Sequence, residues 1–366
     1  MIVAMPTSRS TLLLLVCGLV VAALACSSGS SGVPGASTLA EATGRGPYGV
    51  GVTTLELIDT SRPTNPNRDF EGSDERRLVV EVWYPADAGA QAPEALDVPL
   101  AREGAPFPLI VFAHGFMSGR RQSATYTQHL ASHGYVVASP DFPLTNGGAP
   151  GGATFNDLEN QPGDVSFVID EMLARSAGET SPFTGAIDGE AIGLTGHSAG
   201  AFTTLLTTYG ELRDERLDAA LPISGSGCML TEEQVADTSV PVMVLAGSAD
   251  LFIAASASRA AYDAANAPRY WVNLTGASHV RFTDIDLDDA PLLQALFGGN
   301  TLSCDGDAPP DLGAEALTLQ RQQELLRAFA TPFFDAYLRK SDNAKGVLQN
   351  RLAGDLGDAV ELEFEE

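Results

Sequence analysis

The sequence predicts an α/β fold with a mostly parallel central sheet and helices on both of its faces. From about Tyr48 onward, short runs of apolar and β-branched residues alternate with longer helical stretches. That order is typical of parallel strands joined by crossover helices. Hydrophobic residues make up 44% and charged residues 19% of the 366-residue chain. This composition is typical of a globular protein and unlike that of a disordered chain, and the length allows one large domain.

The predicted elements follow from periodicity. The first two strands alternate in period two and precede turn-rich segments, so they are expected to be antiparallel; they are 51–58 and 78–84. The later strands are continuous apolar runs, as buried parallel strands should be; they are 109–112, 135–138, 191–195, 219–223, 240–246 and 270–274. The predicted helices are 125–133, 164–175, 199–209, 254–265 and 315–339. No large cap domain interrupts this series.

The N-terminal segment has the pattern of an export signal. Arg9 precedes an apolar run over 11–24 that is too short to span a bilayer comfortably and ends in small residues. Residues 1–25 are therefore predicted to be a signal peptide. The context AALAC resembles a bacterial lipobox, which predicts Cys26 as a lipidated first residue; ordinary cleavage with full secretion is the alternative. The expected location is the cell envelope or the exterior.

The rest of the chain divides by composition. Residues 26–46 are small and polar and predict a flexible tether, 47–345 the catalytic domain, and 346–366 an acidic C-terminal tail. The formal net charge of −26 disfavours nucleic acid and anionic membrane surfaces as partners. No feature indicates an oligomer, so a monomer is expected.

Two cysteines lie in the predicted domain, Cys228 and Cys304. In an oxidising compartment such a pair predicts a disulfide, since two thiols alone do not complete a metal shell. Two buried free thiols are the alternative.

A G-x-S-x-G motif lies between a predicted strand and a predicted helix. Residues 196–200 read GHSAG, after AIGLT and before AFTTLLTTYG. In this context the serine occupies a strained turn that exposes its hydroxyl at the sheet edge, and the glycines clear space for the strand and the helix. Ser198 is thus the predicted nucleophile. A strand-to-helix turn without catalysis is the structural alternative.

A serine nucleophile needs a histidine base, and the chain has five histidines. Only His279, in the loop GASHV, follows the last predicted parallel strand, where the Ser, acid, His chain order places the base. The others lie at 114, 129, 133 and 197. Asp250 is the predicted acid because it lies just after the carboxyl end of the strand that precedes this loop. Asp284 and Asp286 are rival candidates, but they follow His279 too closely in sequence to lie at the end of a separate strand.

Two backbone amides are expected to bind the oxyanion. Phe116 follows the third strand and Ala199 follows the nucleophile, and their amides would face the developing charge. Phe116 and His197 are expected to contact substrate. No cofactor and no metal are expected. The acidic run 284–289 matches no known calcium loop, so a solvated acidic face is the simpler interpretation.

Together these segments resemble a known family. EVWYPA, VFAHGFMSGRRQSATYTQHLASHGYVVASPDFP, GHSAG, VLAGSAD and GASH are similar to the platelet-activating-factor acetylhydrolase and polyester-cutinase branch of the α/β-hydrolases. The resemblance implies the α/β-hydrolase fold, serine esterase activity on small-molecule or lipid esters of short to medium acyl length, and the triad and oxyanion residues named above. Dienelactone hydrolases are also similar but carry cysteine at the position of Ser198.

The chain departs from this family at two points. SGSGC after Ile223 lacks the tryptophan that polyester-cleaving cutinases present, which disfavours polymer cleavage. Residues 281–312 form an acidic insertion that is a candidate lid or rim. Two further hypotheses remain open: an inactive surface lipoprotein with a binding role, and a peptidase or amidase of the same fold.

Overall fold

The fold is built around one large sheet. The computed structural model describes residues 38–87, 93–289, 300–304, 316–351, 354 and 356–366. Its strands are β1 (Gly49–Asp59), β2 (Arg76–Ala86), β3 (Ala95–Leu96), β4 (Phe107–Ala113), β5 (Val136–Pro140), β6 (Ile187–His197), β7 (Leu217–Ile223), β8 (Val242–Gly247), β9 (Arg269–Leu274) and β10 (Val360–Glu365).

The strand order is β10-β9-β8-β7-β6-β4-β5-β2-β1-β3. The block from β9 to β5 is parallel throughout. Antiparallel pairing joins β1 to β2, β2 to β5 and β9 to β10. The predicted mostly parallel sheet with antiparallel N-terminal strands is therefore confirmed.

Helices cover both faces of the sheet. They are α1 (Leu39–Thr43), α2 (Ala124–Ser132), α3 (Gln161–Ala177), α4 (Ala199–Thr208), α5 (Glu232–Val235), α6 (Ala255–Ala264), α7 (Leu319–Leu338) and α8 (Asp342–Gly346).

The central strand β4 shows how the two faces are filled, because its side chains point alternately to opposite sides. Ile110 and Phe112 pack in a core cluster with apolar residues of α2 and α7. Leu109 and Val111 pack in a second cluster with residues of α3. Since all seven residues of β4 are buried, the strand needs an uninterrupted apolar sequence, and FPLIVFA supplies it. The result is a three-layer arrangement with the sheet in the middle.

The C-terminal segment differs from the acidic tail expected over 346–366. Residues Val360–Glu365 form the edge strand β10, which pairs with β9. Its alternating glutamates meet basic side chains: Glu365 accepts from Arg269 at 2.6 Å, and Glu363 accepts from Arg259 at 2.8 Å. The acidic segment therefore contains a period-two strand pattern, and arginines from other parts of the chain balance the charges of its glutamates.

A short helix lies within the segment 26–46 that was expected to be a tether. Thr38 caps α1 by accepting a hydrogen bond from the Glu41 amide at 3.2 Å. Ala42 is fully buried, and Leu39 packs against the cluster that contains α7. The packing of α1 depends on the distant helix α7, so the sequence around residues 39–43 does not predict it. The predicted signal peptide and Cys26 lie outside the described residues.

The predicted disulfide is confirmed. Cys228 and Cys304 are bonded, with Cα atoms 5.1 Å apart and a sequence separation of 76. It links the segment after β7 to the insertion after β9. None of the helices in the described ranges has the length and apolar composition needed to cross a membrane.

Candidate active site

The predicted nucleophile lies on a strained turn between β6 and α4. Ser198 has φ 59° and ψ −119°, in the left-handed half of conformational space that non-glycine residues rarely adopt. Its amide donates to the Ile223 carbonyl of β7 at 3.0 Å, which holds the turn against the sheet. The Ser198 side chain is partly exposed. The turn therefore presents the hydroxyl at the carboxyl edge of the sheet, as the motif predicts.

The two glycines of the motif are required by close approach. A Cβ on Gly196 would lie 2.3 Å from the Gly200 carbonyl oxygen, and one on Gly200 would lie 2.0 Å from the Ala113 carbonyl oxygen. Both distances are far below any real contact with a fixed backbone atom. With this backbone neither position can take a side chain, so both glycines of the motif are needed.

Asp250 and His279 meet at the same edge. His279 Nδ1 lies 2.7 Å from Asp250 Oδ2, and both residues are buried, at 5% and 1% exposure. Asp250 Oδ1 accepts from the Phe252 and Ile253 amides at 2.8 and 2.9 Å. The carboxylate is therefore fixed, and it fixes the imidazole with its proton on Nδ1 and a lone pair on Nε2.

The charges around His279 favour the protonated form of its imidazole. Burial acts to lower the pKa of His279, but the charge and hydrogen bond of Asp250, together with the charge of Asp289, outweigh it and raise that pKa above its ordinary value. The ring of Phe252 stacks on the imidazole with centroids 4.7 Å apart. This packing holds the ring plane while its charge changes.

Ser198 lies beside this pair. The His279 ring is 4.5 Å, centroid to centroid, from the ring of His197, the residue before the serine. Among the described residues, no hydrogen bond joins Ser198 Oγ to His279 Nε2. Such bonds are often long in a free enzyme and shorten when substrate binds. The three residues predicted as a triad thus all follow the carboxyl ends of parallel strands, namely β6, β8 and β9.

His197 itself is placed differently from the expectation that it contacts substrate. It is 3% exposed, and its Nδ1 accepts from Gln122 Nε2 at 3.1 Å. Burial and the neighbouring charge of His279 lower its pKa well below the ordinary value. A buried neutral ring packed behind His279 offers no surface to a substrate, so that expectation is corrected to a packing position.

The remaining histidines are engaged elsewhere. His129 Nε2 contacts Thr331 Oγ1 at 2.8 Å, His133 Nε2 contacts the Gly44 carbonyl at 3.0 Å, and His114 Nε2 accepts from the Phe142 amide at 3.1 Å. None of these three is bonded to a carboxylate in the described residues.

The rival acids are also occupied. Asp284 Oδ2 accepts from the Thr125 amide in the first turn of α2 at 3.0 Å, and Asp286 pairs with Arg281 at 2.8 Å. Both carboxylates therefore serve local structure instead of the imidazole of His279.

The predicted oxyanion donors flank the serine. A Cβ built on Gly115 would lie 3.3 Å from Ser198 Cβ, so the loop carrying Phe116 touches the nucleophile turn. Ala199 begins α4, where the first amides have no partner within the helix. Neither the Phe116 nor the Ala199 amide donates to a backbone acceptor in the described ranges. Both are available to a ligand oxygen.

Sequence reasoning missed the residue that braces this loop. Gln122 is 8% exposed, and its Oε1 accepts from the Gly115 amide at 2.6 Å while its Nε2 donates to His197. One amide side chain thus ties the oxyanion loop to the nucleophile turn. A lone glutamine seven residues after a glycine gives no sequence signal.

An aromatic pair forms a wall beside the site. Phe116 and Phe155 stack with centroids 3.8 Å apart and planes inclined by 14°. Phe155 is 44% exposed and follows the glycine-rich segment 145–153. That segment is bonded to the oxyanion loop, because the Met117 amide donates to the Thr145 carbonyl at 2.8 Å. The start of the glycine-rich segment is therefore anchored to the oxyanion loop.

The site shows no metal centre. No group of three or more histidine, cysteine, aspartate or glutamate side chains suited to a metal ion occurs in the part of the chain that the structure describes. Of the insertion over 281–312, residues 290–299 and 305–312 lie outside that part.

The fold and this site define a class: the serine carboxylic ester hydrolases of the α/β-hydrolase fold. Residues 99–290, more than half of the chain, match the family model described as PETase, PET hydrolase-like. The chain belongs to this PET hydrolase-like family. The predicted fold, the predicted resemblance and the predicted esterase class are confirmed.

The fold is also similar to a solved structure. A ferulic acid esterase from Streptomyces cinnamoneus superposes with a TM-score of 0.57 and 24% sequence identity, over 80% of this chain and 91% of that chain. At this identity the likeness concerns the fold alone. No curated protein matches the chain.

Proposed function

We propose that the chain cleaves small carboxylic esters through an acyl-enzyme on Ser198, with His279 as general base and Asp250 as its orienting acid. The observation that carries the proposal is the 2.7 Å bond between Asp250 and His279 beside a serine at φ 59°. That bond leaves the Nε2 lone pair of His279 for the hydroxyl proton.

The reaction proceeds in two halves. Ser198 Oγ attacks the ester carbonyl carbon while its proton passes to His279 Nε2, and the oxyanion binds the amides of Phe116 and Ala199. The imidazolium then protonates the leaving alkoxide, which departs as the alcohol. Water attacks the acyl-enzyme with His279 again as base, and the carboxylic acid leaves while Ser198 regains its proton.

Small soluble esters with short to medium acyl chains are the substrates we propose. The connection between β7 and β8 contains only the short helix Glu232–Val235, so no cap domain encloses a long chain there. Ser224 and Ser226 follow β7 and are buried. A Cβ on Gly225 would meet Ala201 Cβ at 2.4 Å. With no aromatic platform in this segment, we expect polyester to be a poor substrate.

The test is a series of p-nitrophenyl esters of increasing acyl length, assayed with wild type and Ser198→Ala. We expect hydrolysis that falls with acyl length and a loss of about 10⁴-fold or more in Ser198→Ala. Ser256→Ala is the matched control, since Ser256 is exposed on α6. Equal rates in Ser198→Ala and wild type would refute the proposed nucleophile.

Two further assays separate the alternatives. A fluorophosphonate probe should label wild type at Ser198; absence of labelling would favour an inactive binding protein. Matching p-nitroanilides should be cleaved far more slowly than the esters, and the reverse order would favour an amidase. Hydrolysis of an amorphous polyester film at the rate of the soluble esters would contradict the substrate class.

We also propose export with lipidation at Cys26. The Cys228–Cys304 disulfide supports an oxidising compartment. Metabolic labelling with a fatty acid should tag wild type and not Cys26→Ser. An unlabelled wild type found in the medium would instead support ordinary secretion.

A further inference from the structure

Asp289 joins the two loops that carry the predicted acid and base. Its Oδ2 accepts from the His279 amide at 2.7 Å and from the Leu251 amide at 3.3 Å, and its Oδ1 accepts from the Val280 amide at 2.9 Å. Leu251 directly follows Asp250. One carboxylate, 4% exposed, therefore bridges the segment after β8 and the segment after β9.

Asp289 forms no salt bridge with a basic side chain in the described ranges; its hydrogen bond with His279 is to the backbone amide of that residue. The titratable groups around this imidazole are Asp250, Asp289 and the neutral ring of His197. Burial and the charge of Asp250 raise the pKa of Asp289, whereas the charge of His279 lowers it. Two buried carboxylates thus act on one protonatable ring: Asp250 bonds its Nδ1, and Asp289, which bonds the backbone amide of the same residue, acts through its charge.

This arrangement favours the charged state of the ring over its neutral state. Two like charges in a buried site repel each other, and a cation between them relieves the repulsion. The cation exists only after Ser198 has given its proton to His279. The second carboxylate therefore stabilises the transition state more than the resting enzyme, which is the condition for raising the rate.

We propose that Asp289 is a positioning residue for ester cleavage: it fixes the loops of Asp250 and His279 through three backbone amides and places a second negative charge beside the imidazolium. The inference rests on the proposed role of His279 as the base. It assigns a role to Asp289, the last residue of the acidic run 284–289 that the sequence pattern predicts to be a solvated face.

The described part of the insertion supports this assignment, because it is fastened to the same loop. The Leu302 amide donates to the Phe252 carbonyl at 2.8 Å, and the Ala254 amide donates to the Leu302 carbonyl at 3.0 Å. The disulfide at Cys304 lies two residues further on. These contacts make the described part of the insertion a brace on the Asp250 loop.

The test compares Asp289→Asn with Asp288→Asn, its neighbour in the insertion. Asp288 is 82% exposed at its side chain, and its one salt bridge within the described residues is to Arg281, at 3.3 Å. Both variants remove one negative charge, so a general effect of net charge cancels. The readout is the pH profile of kcat/KM for p-nitrophenyl acetate, followed at the isosbestic wavelength of the nitrophenol product.

For Asp289→Asn we expect kcat/KM on the plateau to fall about tenfold, the factor that corresponds to one pKa unit of imidazolium stabilisation. The acid limb of the profile should also move to lower pH, since the histidine loses a charge that favours its protonation. Asp288→Asn should match wild type in both respects. A residue needed only for folding would change the plateau without moving the limb.

The proposal would be overturned if folded Asp289→Asn showed the acid limb of its kcat/KM profile at the wild-type pH. Equal shifts of that limb in Asp289→Asn and Asp288→Asn would also overturn it. If Asp289→Asn does not fold, Asp289→Ser takes its place, because the hydroxyl still accepts from one amide without carrying charge. If Asp289→Asn equals wild type while Ser198→Ala is inactive, only this inference fails. If Ser198→Ala remains active, the proposed function fails first.

Discussion

Replacement of Asp250 by asparagine tests the acid with almost no change of shape. The structure dictates how the new amide must sit. Because the Phe252 and Ile253 amides both donate to Oδ1 at 2.8 and 2.9 Å, the asparagine oxygen has to stay there. Its NH₂ group then takes the place of Oδ2, 2.7 Å from His279 Nδ1. A donor at that point forces Nδ1 to accept, so the ring proton moves to Nε2.

The proton on Nε2 removes the lone pair that would take the Ser198 proton, and the imidazolium loses its counter-charge. A serine hydrolase with this defect loses about 10⁴-fold in kcat, which is about 5.4 kcal/mol of transition-state stabilisation. The assay is kcat on p-nitrophenyl acetate for wild type, Asp250→Asn and the exposed control Asp286→Asn, with circular dichroism to verify folding.

The two asparagine variants should differ by the whole of this factor. Asp286 lies on the surface and, in the part of the chain that the structure describes, pairs with Arg281 alone, so its variant should match wild type. If the folded Asp250→Asn variant retained a tenth of wild-type kcat, the reasoning would be refuted, because the tautomer of His279 would then not control the rate.

Three further predictions follow from the same geometry. The acid limb of kcat/KM should lie above about pH 6.5, because the raised pKa of His279 keeps the base protonated at and below that value; a limb below it would contradict the net effect of the two carboxylates. Gln122→Ala should lower kcat about tenfold with KM little changed, since Gly115 and His197 lose their common partner; a pure KM effect would argue against a role in the oxyanion loop. Cys228→Ser should lower the free energy of unfolding by about 4 kcal/mol on the chain-entropy model for a 76-residue separation, measured in urea without reductant; unchanged stability would show that the bridge closes a loop already ordered when unfolded.

The strands and helices that position the site were predictable because their signals are local. β4 and β8 are continuous apolar runs, and the structure buries every residue of both. Boundaries extend beyond the predicted ones, as in β6, which begins at Ile187 where 191 was expected. Its first four residues, IDGE, carry no strand signal. Ile187 and Asp188 nevertheless pair with Phe107 and Pro108 of β4, ahead of a shift in register.

Elements at the edges were missed for a related reason. The strand β10 and the helix α1 lack enough apolar surface to be recognised alone. Arg269 and Arg259 are what make the glutamates of β10 compatible with a sheet edge. The buried contact of Ala42 depends on the packing of α1 near α7.

By itself, the sequence determined the fold class and the order of the three predicted catalytic residues. It could do so because G-x-S-x-G is a local steric requirement, and because chain order along a parallel sheet decides which side chains reach its carboxyl edge. Only the tertiary structure decided what surrounds them. Gln122 meets His197 across 75 residues, and Phe155 meets Phe116 through a folded loop. Asp289 is indistinguishable from its acidic neighbours until the chain returns it to the amide of His279. Such contacts arise between segments that share no local pattern, so composition and periodicity carry no trace of them.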